Sequence, residues 1–404
     1  MIISILGLSG MDKEKQNKTT AYYNCEILGK KSGDYHNATD MLLKNYDDEF
    51  CFLGTTQAIE FQKPLLDFDG KRVKFIEIED NSLDDIFEEV YKLVSKANDT
   101  VILDITHGFR HQPISAIFAA TLHRFLYLDD LNIIFAKQIE AFKKYEYISL
   151  NNYLDITQLS LLLTGFIRTL NFVDSVKIDN FETVAFSNFS KALLSNDFLT
   201  LQSSYKNLLS TVKRAKKDKK FDHLKQLFEE IEDTLSVFDG FDMMLLHEQY
   251  LIISNLMFEK NYILLSLTYL FEALRFYCSD AFEKNNIVCK REKNKNNSYN
   301  INQEVITFIT QLGIRDYREN CYDKNYKTLH QTNRKIFSII SDEYSSLRTL
   351  RNTLTHVNSK MHSPDIKTKL EKQLKSISKL IKGDILKTLS TKPKERVVKN
   401  FFKK

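Results

Sequence analysis

The sequence predicts an α/β domain built on a mostly parallel sheet, followed by an all-helical domain, and three observations carry that prediction. Over residues 1–150, short apolar or β-branched runs alternate with helical patterns. From about Asn151 onward strand signals almost disappear and apolar residues recur at helical spacing. The charge also changes sign. Residues 1–155 carry 17 Lys and Arg against 25 Asp and Glu, a net of −8, so the remainder carries +12 within an overall +4.

Strand signals lie at Ile2–Leu6, Phe50–Gly54, Val73–Glu79, Thr100–Ile105 and Leu131–Lys137, with a last candidate at Glu146–Leu150. Helical patterns separate several of them, notably Ser82–Lys96, with Ser82 as its N-cap and acidic residues in the first turn, and Ile114–Leu128. Strands alternating with helices imply a sheet covered on both faces. Sheets of that kind bind ligands beyond the carboxyl ends of their strands. Further helices are expected over Leu159–Val173, Phe181–Leu194, Leu201–Val212, His223–Phe238, Met243–Tyr277, Glu304–Leu312 and Ile336–Val357. The expected division is a first domain over 1–150, a connecting helical region over 151–240 and a second domain over 241–404. Within this scheme Thr211–Lys220 reads as a solvated helix end, the Asn- and Lys-rich stretch near 283–302 as a mobile surface insertion, and the Lys-rich end after Lys387 as a frayed tail.

Composition narrows the function classes. Hydrophobic residues at 43% and charged residues at 27% are those of a globular protein in water. The longest apolar run, Tyr262–Phe271, is far short of the ~20 residues a membrane span needs, so no membrane association is expected. Met1–Met11 reads as a first strand and turn in place of a secretory leader. Cys25, Cys51, Cys278, Cys289 and Cys321 stand far apart with no Cys-x-x-Cys, which predicts neither a disulfide framework nor a zinc cage. A cytoplasmic location and no metal or cofactor follow as expectations. The basic C-terminal half suits a polyanionic partner such as nucleic acid, or simply solvated Lys-rich helices.

Chemistry-bearing residues gather where strands should end. Gly7-Leu8-Ser9-Gly10 follows the first strand, and two glycines in four residues let the backbone turn sharply and present N–H groups to an anion. Gly54-Thr55-Thr56 follows the second with hydroxyl donors. Asp104-Ile105-Thr106-His107-Gly108-Phe109-Arg110-His111-Gln112-Pro113 puts a glycine, an aromatic face, a guanidinium and polar donors on one turn before a helix. These parts can hold a phosphate and stack on a base. The Thr-His-Gly-Phe-Arg run after a buried strand, with the N-terminal Gly-rich turn and Thr55, Thr56 and Ala58, resembles the CRISPR-associated Rossmann-fold (CARF) sensor domains. The resemblance implies a Rossmann-like parallel sheet over residues 1–150. It also implies a cyclic oligoadenylate ligand bound across the two-fold axis of a homodimer. Its site would comprise Gly7, Leu8, Ser9, Gly10, Thr55, Thr56, Thr106, His107, Gly108, Phe109 and Arg110. Asp12–Tyr35 is long and polar for its position in that family.

A second cluster is Arg351-Asn352-Thr353-Leu354-Thr355-His356 near the end of a helical stretch. At ~100° per residue, Ile336, Ile340, Leu347, Leu350 and Leu354 make an apolar stripe, and Asn352 and His356 leave the other face together. An imidazole with pKa near ~6.5 moves protons at neutral pH, and a guanidinium steadies negative charge on phosphorus-bound oxygens. These groups suit RNA cleavage by the 2′-hydroxyl, which needs no metal. Arg-Asn-x-x-x-His on a late helix, with Glu272 and Arg275 on an earlier one, resembles the HEPN ribonucleases. That likeness implies a helical HEPN domain with Arg351, Asn352 and His356 as its catalytic set.

Both motifs in this order resemble the CARF–HEPN effector ribonucleases of type III CRISPR systems. The expected function is therefore a metal-independent endoribonuclease that cuts single-stranded RNA and is switched on by cyclic oligoadenylate, with cyclic tetra-adenylate favoured over hexa-adenylate. A homodimer is expected, with assembly beyond it left open. The sensor half is also a candidate for slow cleavage of its own messenger. The rival expectation is a cyclic-nucleotide-gated regulator that binds nucleic acid or protein without catalysis.

Overall fold

The computed structural model describes residues 1–12, 17–79, 82–97, 100–127, 131–172, 178, 181–286, 305–306, 309–310, 329–355, 363–387 and 389. The chain divides into two compact units, Met1–Ile167 with Asn171–Glu232, and Arg168–Leu170 with Asp233–Lys404. The helices between 171 and 232 thus group with the sheet.

The first unit is organised by an eight-stranded sheet. Its strands are β1 (Ile2–Ile5), β4 (Ala21–Asn24), β5 (Gly33–Tyr35), β6 (Glu49–Gly54), β7 (Arg72–Glu77), β8 (Val101–Asp104), β9 (Leu131–Glu140) and β10 (Lys144–Ser149), in the order β5-β4-β10-β9-β8-β1-β6-β7. β2 (Met11–Asp12) and β3 (Asn17–Lys18) pair separately. From β7 to β9 every pairing is parallel. β10 then runs antiparallel to β9, and β5 antiparallel to β4. The sheet is thus mixed at one edge and Rossmann-like at its centre. Because β6 lies on one side of β1 and β8 on the other, the order switches there. A crevice therefore opens at the carboxyl ends of the central strands.

Alternation along β1 explains the two cores. Ile2 joins Phe50, Phe52, Tyr147 and the α1 (Ala38–Asn45) residues Met41 and Leu42 on one face. Ile3 and Ile5 join Val90 and Val94 of α3 (Leu83–Lys96) and Ala116, Ala119 and Ala120 of α4 (His111–Tyr127) on the other. The expected Ser82 cap is present, its hydroxyl accepting from Asp85 N at 3.1 Å. One face of α4 is uncovered within the chain: Ile114, Phe118, Leu122 and Leu126, spaced by four, are 54%, 65%, 42% and 57% exposed.

Strands β2–β5 have no counterpart in the sequence reading. They are two to four residues long, too short for an apolar run. β4 is held through side chains instead, with Tyr23 stacked on Tyr145 at 4.8 Å. Three helices, α5 (Asn151–Thr169), α6 (Thr183–Leu194) and α7 (Phe198–Ala215), gather Phe166, Phe172, Phe186 and Phe189 into an aromatic cluster. α8 is Lys225–Leu235.

The second unit packs α9 (Leu246–Glu259), α10 (Ile263–Lys284), α11 (Arg334–Thr355) and α12 (Ser363–Lys382) around Leu270, Leu274, Ile340, Leu347, Leu370 and Ile377. The single helix expected over Met243–Tyr277 is two, joined by a turn in which Asn261 takes φ +64°, a left-handed conformation asparagine tolerates. α12 was not foreseen, because its many lysines mask the stripe of Ile366, Leu370, Leu374, Ile377 and Ile381. Most of the expected insertion (287–302) and the tail beyond 389 lie outside the described residues. No helix among the described residues is long and apolar enough to cross a membrane.

Candidate functional site

The three loops singled out in the first unit converge at the carboxyl ends of β1, β6 and β8. Gly10 and Gly108 fix their paths. Both have positive φ, +100° and +98°. A Cβ on Gly108 would stand 2.5 Å from Ile5 Cγ2, and one on Gly10 would stand 2.8 Å from the His36 carbonyl oxygen. Two buried amides that the sequence reading missed tie down the first loop. Gln62 Nε2 donates to the carbonyls of Gly7 (2.5 Å) and Ser9 (3.1 Å), and Asn37 Nδ2 donates to Ser9 O and to Gln62 Oε1. Asn37 also caps α1 through Asp40 N. Its signal was an Asn three residues before an Asp at a helix start.

The third loop divides into an inner and an outer part. Thr106 faces inward. Its hydroxyl donates to Asp104 Oδ1 at 2.5 Å and accepts from Ala136 N at 2.8 Å, which ties β8 to β9. Burial pushes the Asp104 carboxyl up to about 6, against the opposing pull of its hydrogen bonds from Thr106 and Ser4. His107 Nε2 accepts from Ala38 N at 3.3 Å, at the first turn of α1, and Ser9 Oγ lies 3.3 Å from the same atom. An accepting Nε2 puts the ring proton on Nδ1. Burial pushes His107 down to about 4, so it is neutral at pH 7.

The outer part is available to a ligand. Phe109 is half exposed and stacks parallel to His111, and Arg110 is exposed with its charge unpaired among the described residues. Leu6, Gly7, Leu8, Thr55, Gln57, Ala58, Gly108, Phe109 and Gln112 enclose a cavity of about 150 Å³. Thr55 caps α2 (Thr56–Gln62) by accepting from Ala58 N, and the Thr56 hydroxyl donates to Glu77. The structure therefore gathers Gly7, Leu8, Thr55, Gly108 and Phe109 at one cavity. It commits the hydroxyls of Thr106 and Thr56 to neighbouring side chains.

His107 makes a testable pH signature. Its folded pKa lies below the usual 6.5, so its contribution to stability is full above pH 6.5 and is lost as pH falls towards 4. Asp104, raised from 3.8, contributes with the opposite sign between pH 6 and 3.8. The comparison must therefore be between variants. The melting advantage of the wild type over His107→Gln is expected to shrink steadily from pH 7 to pH 4.5. A constant offset across that range would refute the assigned tautomer.

In the second unit Arg351 lies near the end of α11, its guanidinium 5.0 Å over the ring of Phe271 in α10. Phe271 packs on Tyr344 (4.9 Å) and also lies under Arg275 (5.9 Å). Arg275 is bound to Glu272 by two contacts of 2.7 and 3.0 Å. Arg351 and Asn352 are both exposed, and His356 lies outside the described residues. On another flank of α11 a groove of about 460 Å³ runs between Ser346, Thr349 and Thr353 and the α12 side chains Lys369, Lys372 and Gln373. Hydroxyls and cations lining one groove suit a ribose–phosphate strand.

The geometry of the first unit is that of a ligand sensor on a doubly wound sheet, and residues 3–149 match the family model of a CARF domain. The model is that of the CARF domain of CRISPR system endoribonuclease Csx1, so this chain carries a CARF domain of that kind. No curated protein matches the chain significantly. Among solved chains, Enterococcus italicus Csm6 bound to cyclic hexa-2′-fluoro-hexa-dAMP matches at 12% identity over 96% of this chain and 94% of that one. Its TM-score is 0.42, too distant a likeness to bear on the site.

Proposed function

We propose that this chain is a cyclic-oligoadenylate-gated endoribonuclease of type III CRISPR defence that acts on single-stranded RNA in the cytoplasm without a metal. The observation that carries the reading is a CARF domain whose loops form a ligand cavity, followed in the same chain by a helical unit that presents Arg351 and Asn352.

The sensor is read as a homodimer. α4 begins immediately after Arg110, and its uncovered stripe of Ile114, Phe118, Leu122 and Leu126 is the kind of apolar face a second copy buries. Isologous pairing along α4 brings two copies of the Thr106–Arg110 loop beside the dyad, where one cyclic ligand touches both. The ligand then favours the active arrangement of the helical units only by binding it more tightly than the idle one.

In the reaction, the 2′-oxygen of RNA loses its proton and bonds to the adjacent phosphorus. The P–O5′ bond breaks and O5′ takes a proton, leaving a 2′,3′-cyclic phosphate and a 5′-hydroxyl. Arg351 holds the charge that builds on the non-bridging oxygens, His356 moves the proton, and Asn352 orients the phosphate. The groove lined by Lys369 and Lys372 guides the strand.

Titration calorimetry tests the sensor arm. One cyclic tetra-adenylate per two chains is expected, with hexa-adenylate weaker. One ring per chain, or no binding of either, would contradict the dimeric sensor and favour the non-catalytic reading.

A further inference from the structure

The cavity at the end of β1 contains a hydrogen-bond donor with nothing to donate to. Gln112 is only 1% exposed. Its Oε1 accepts from Phe109 N at 3.0 Å, which fixes the orientation of the amide, since an N–H cannot face an NH2. Its Nε2 is buried and has no partner among the described residues. An unmet buried amide donor is costly and is normally satisfied in the functional state.

The walls say which kind of group meets it. Leu6, Leu8, Ala58 and Phe109 are apolar, Thr55, Gln57 and Gln112 are polar and neutral, and no lysine or arginine lines the cavity. A phosphate would be left there without a counter-charge, whereas the flat apolar body of a nucleobase fits. The volume is close to that of a cavity known to admit one aromatic ring.

Resting on the CARF reading above, we infer that this cavity takes one adenine of the messenger, with Gln112 Nε2 donating to N1 of the base. Gln57, exposed at the mouth, is free to turn its carbonyl oxygen to the 6-amino group. Gln112 is then the specificity-determining residue for adenine over guanine. Guanine carries a proton at N1 and an oxygen at position 6, so it presents a donor to the donor and an acceptor to the acceptor.

The test changes the ligand first, which leaves folding untouched. The full-length chain is titrated with cyclic tetra-adenylate, with its 1-deaza analogue (C–H in place of N1) and with a 7-deaza analogue. The 1-deaza ring is expected to bind ~10- to 100-fold more weakly and the 7-deaza ring about as well as the parent. A second variant, Gln112→Glu, keeps the acceptor for Phe109 N and removes the donor. It is expected to lose adenylate affinity to a similar degree and to gain nothing from restoring N1.

Equal binding of the 1-deaza and parent rings overturns the Gln112 assignment while leaving the sensor reading intact. A loss confined to the 7-deaza ring overturns it too, by placing the other edge of the base in the cavity. Failure of every ring to bind overturns both readings.

Discussion

Arg351→Ala is expected to lower messenger-stimulated RNA cleavage by ~10²- to 10³-fold, the usual loss when a donor to a developing oxyanion is removed. Messenger affinity should not change, because Arg351 belongs to the helical unit and the cavity to the sheet unit. Arg351 also covers the ring of Phe271, so part of any loss could come from packing. Arg351→Lys separates the two effects. It retains the positive charge and an aliphatic stem over Phe271 but lacks the planar fork that grips two phosphate oxygens. Activity for Lys close to that of Ala, with an unchanged melting temperature, identifies the fork as the active feature. Wild-type cleavage in Arg351→Ala would remove the residue from the catalytic set.

Gly108→Ala is the second large effect, and it acts on the other unit. Alanine at φ +98° is strained, and its Cβ would collide with Ile5 at 2.5 Å and with Gln112 Oε1 at 2.8 Å. A strained residue of this kind costs about 1–3 kcal/mol, which corresponds to roughly 10- to 100-fold in affinity if the loop must reform to bind. Messenger binding should weaken by that factor, and cleavage should need correspondingly more messenger. Gly70→Ala is the control. Gly70 also has positive φ, +68°, but a Cβ there meets nothing within 4 Å. It should cost a little stability and leave messenger binding alone. Equal effects from both variants would mean that backbone strain, and not the packed loop, sets the affinity.

Periodicity carried the architecture a long way. The buried central strands are β-branched and apolar on both faces, as β1 shows with Ile2, Ile3 and Ile5, so they stand out from the chain around them. The edge is different. β4 and β5 are stabilised by tyrosine stacking and by pairing to β10, contacts made across more than 100 residues, and no local pattern encodes them. The antiparallel turn at β9–β10 belongs to the same class, because strand direction is not a property of one strand.

The site was legible in its loops and illegible in its supports. Gly108 and Phe109 announce a turn and a stacking face. The sequence does not show that Thr106 and His107 spend their polar atoms inside the protein, on Asp104, Ala136 and Ala38. Nor does it show that Gln62 and Asn37, distant in the chain, hold the first loop. Gln112 stood within the segment that drew notice, yet only the fixed orientation of its amide distinguishes it from any other helix-start glutamine. In the helical unit, Arg-Asn-x-x-x-His was visible as a spacing, whereas the aromatic seat of Arg351 on Phe271 required the packing of α10 against α11.

The most direct test is cleavage of a fluorescent single-stranded RNA in EDTA, with and without cyclic tetra-adenylate. The account predicts cutting that depends on messenger, survives chelation and leaves 2′,3′-cyclic phosphate ends. Cutting that EDTA abolishes, or an RNA left intact with messenger bound, would contradict it.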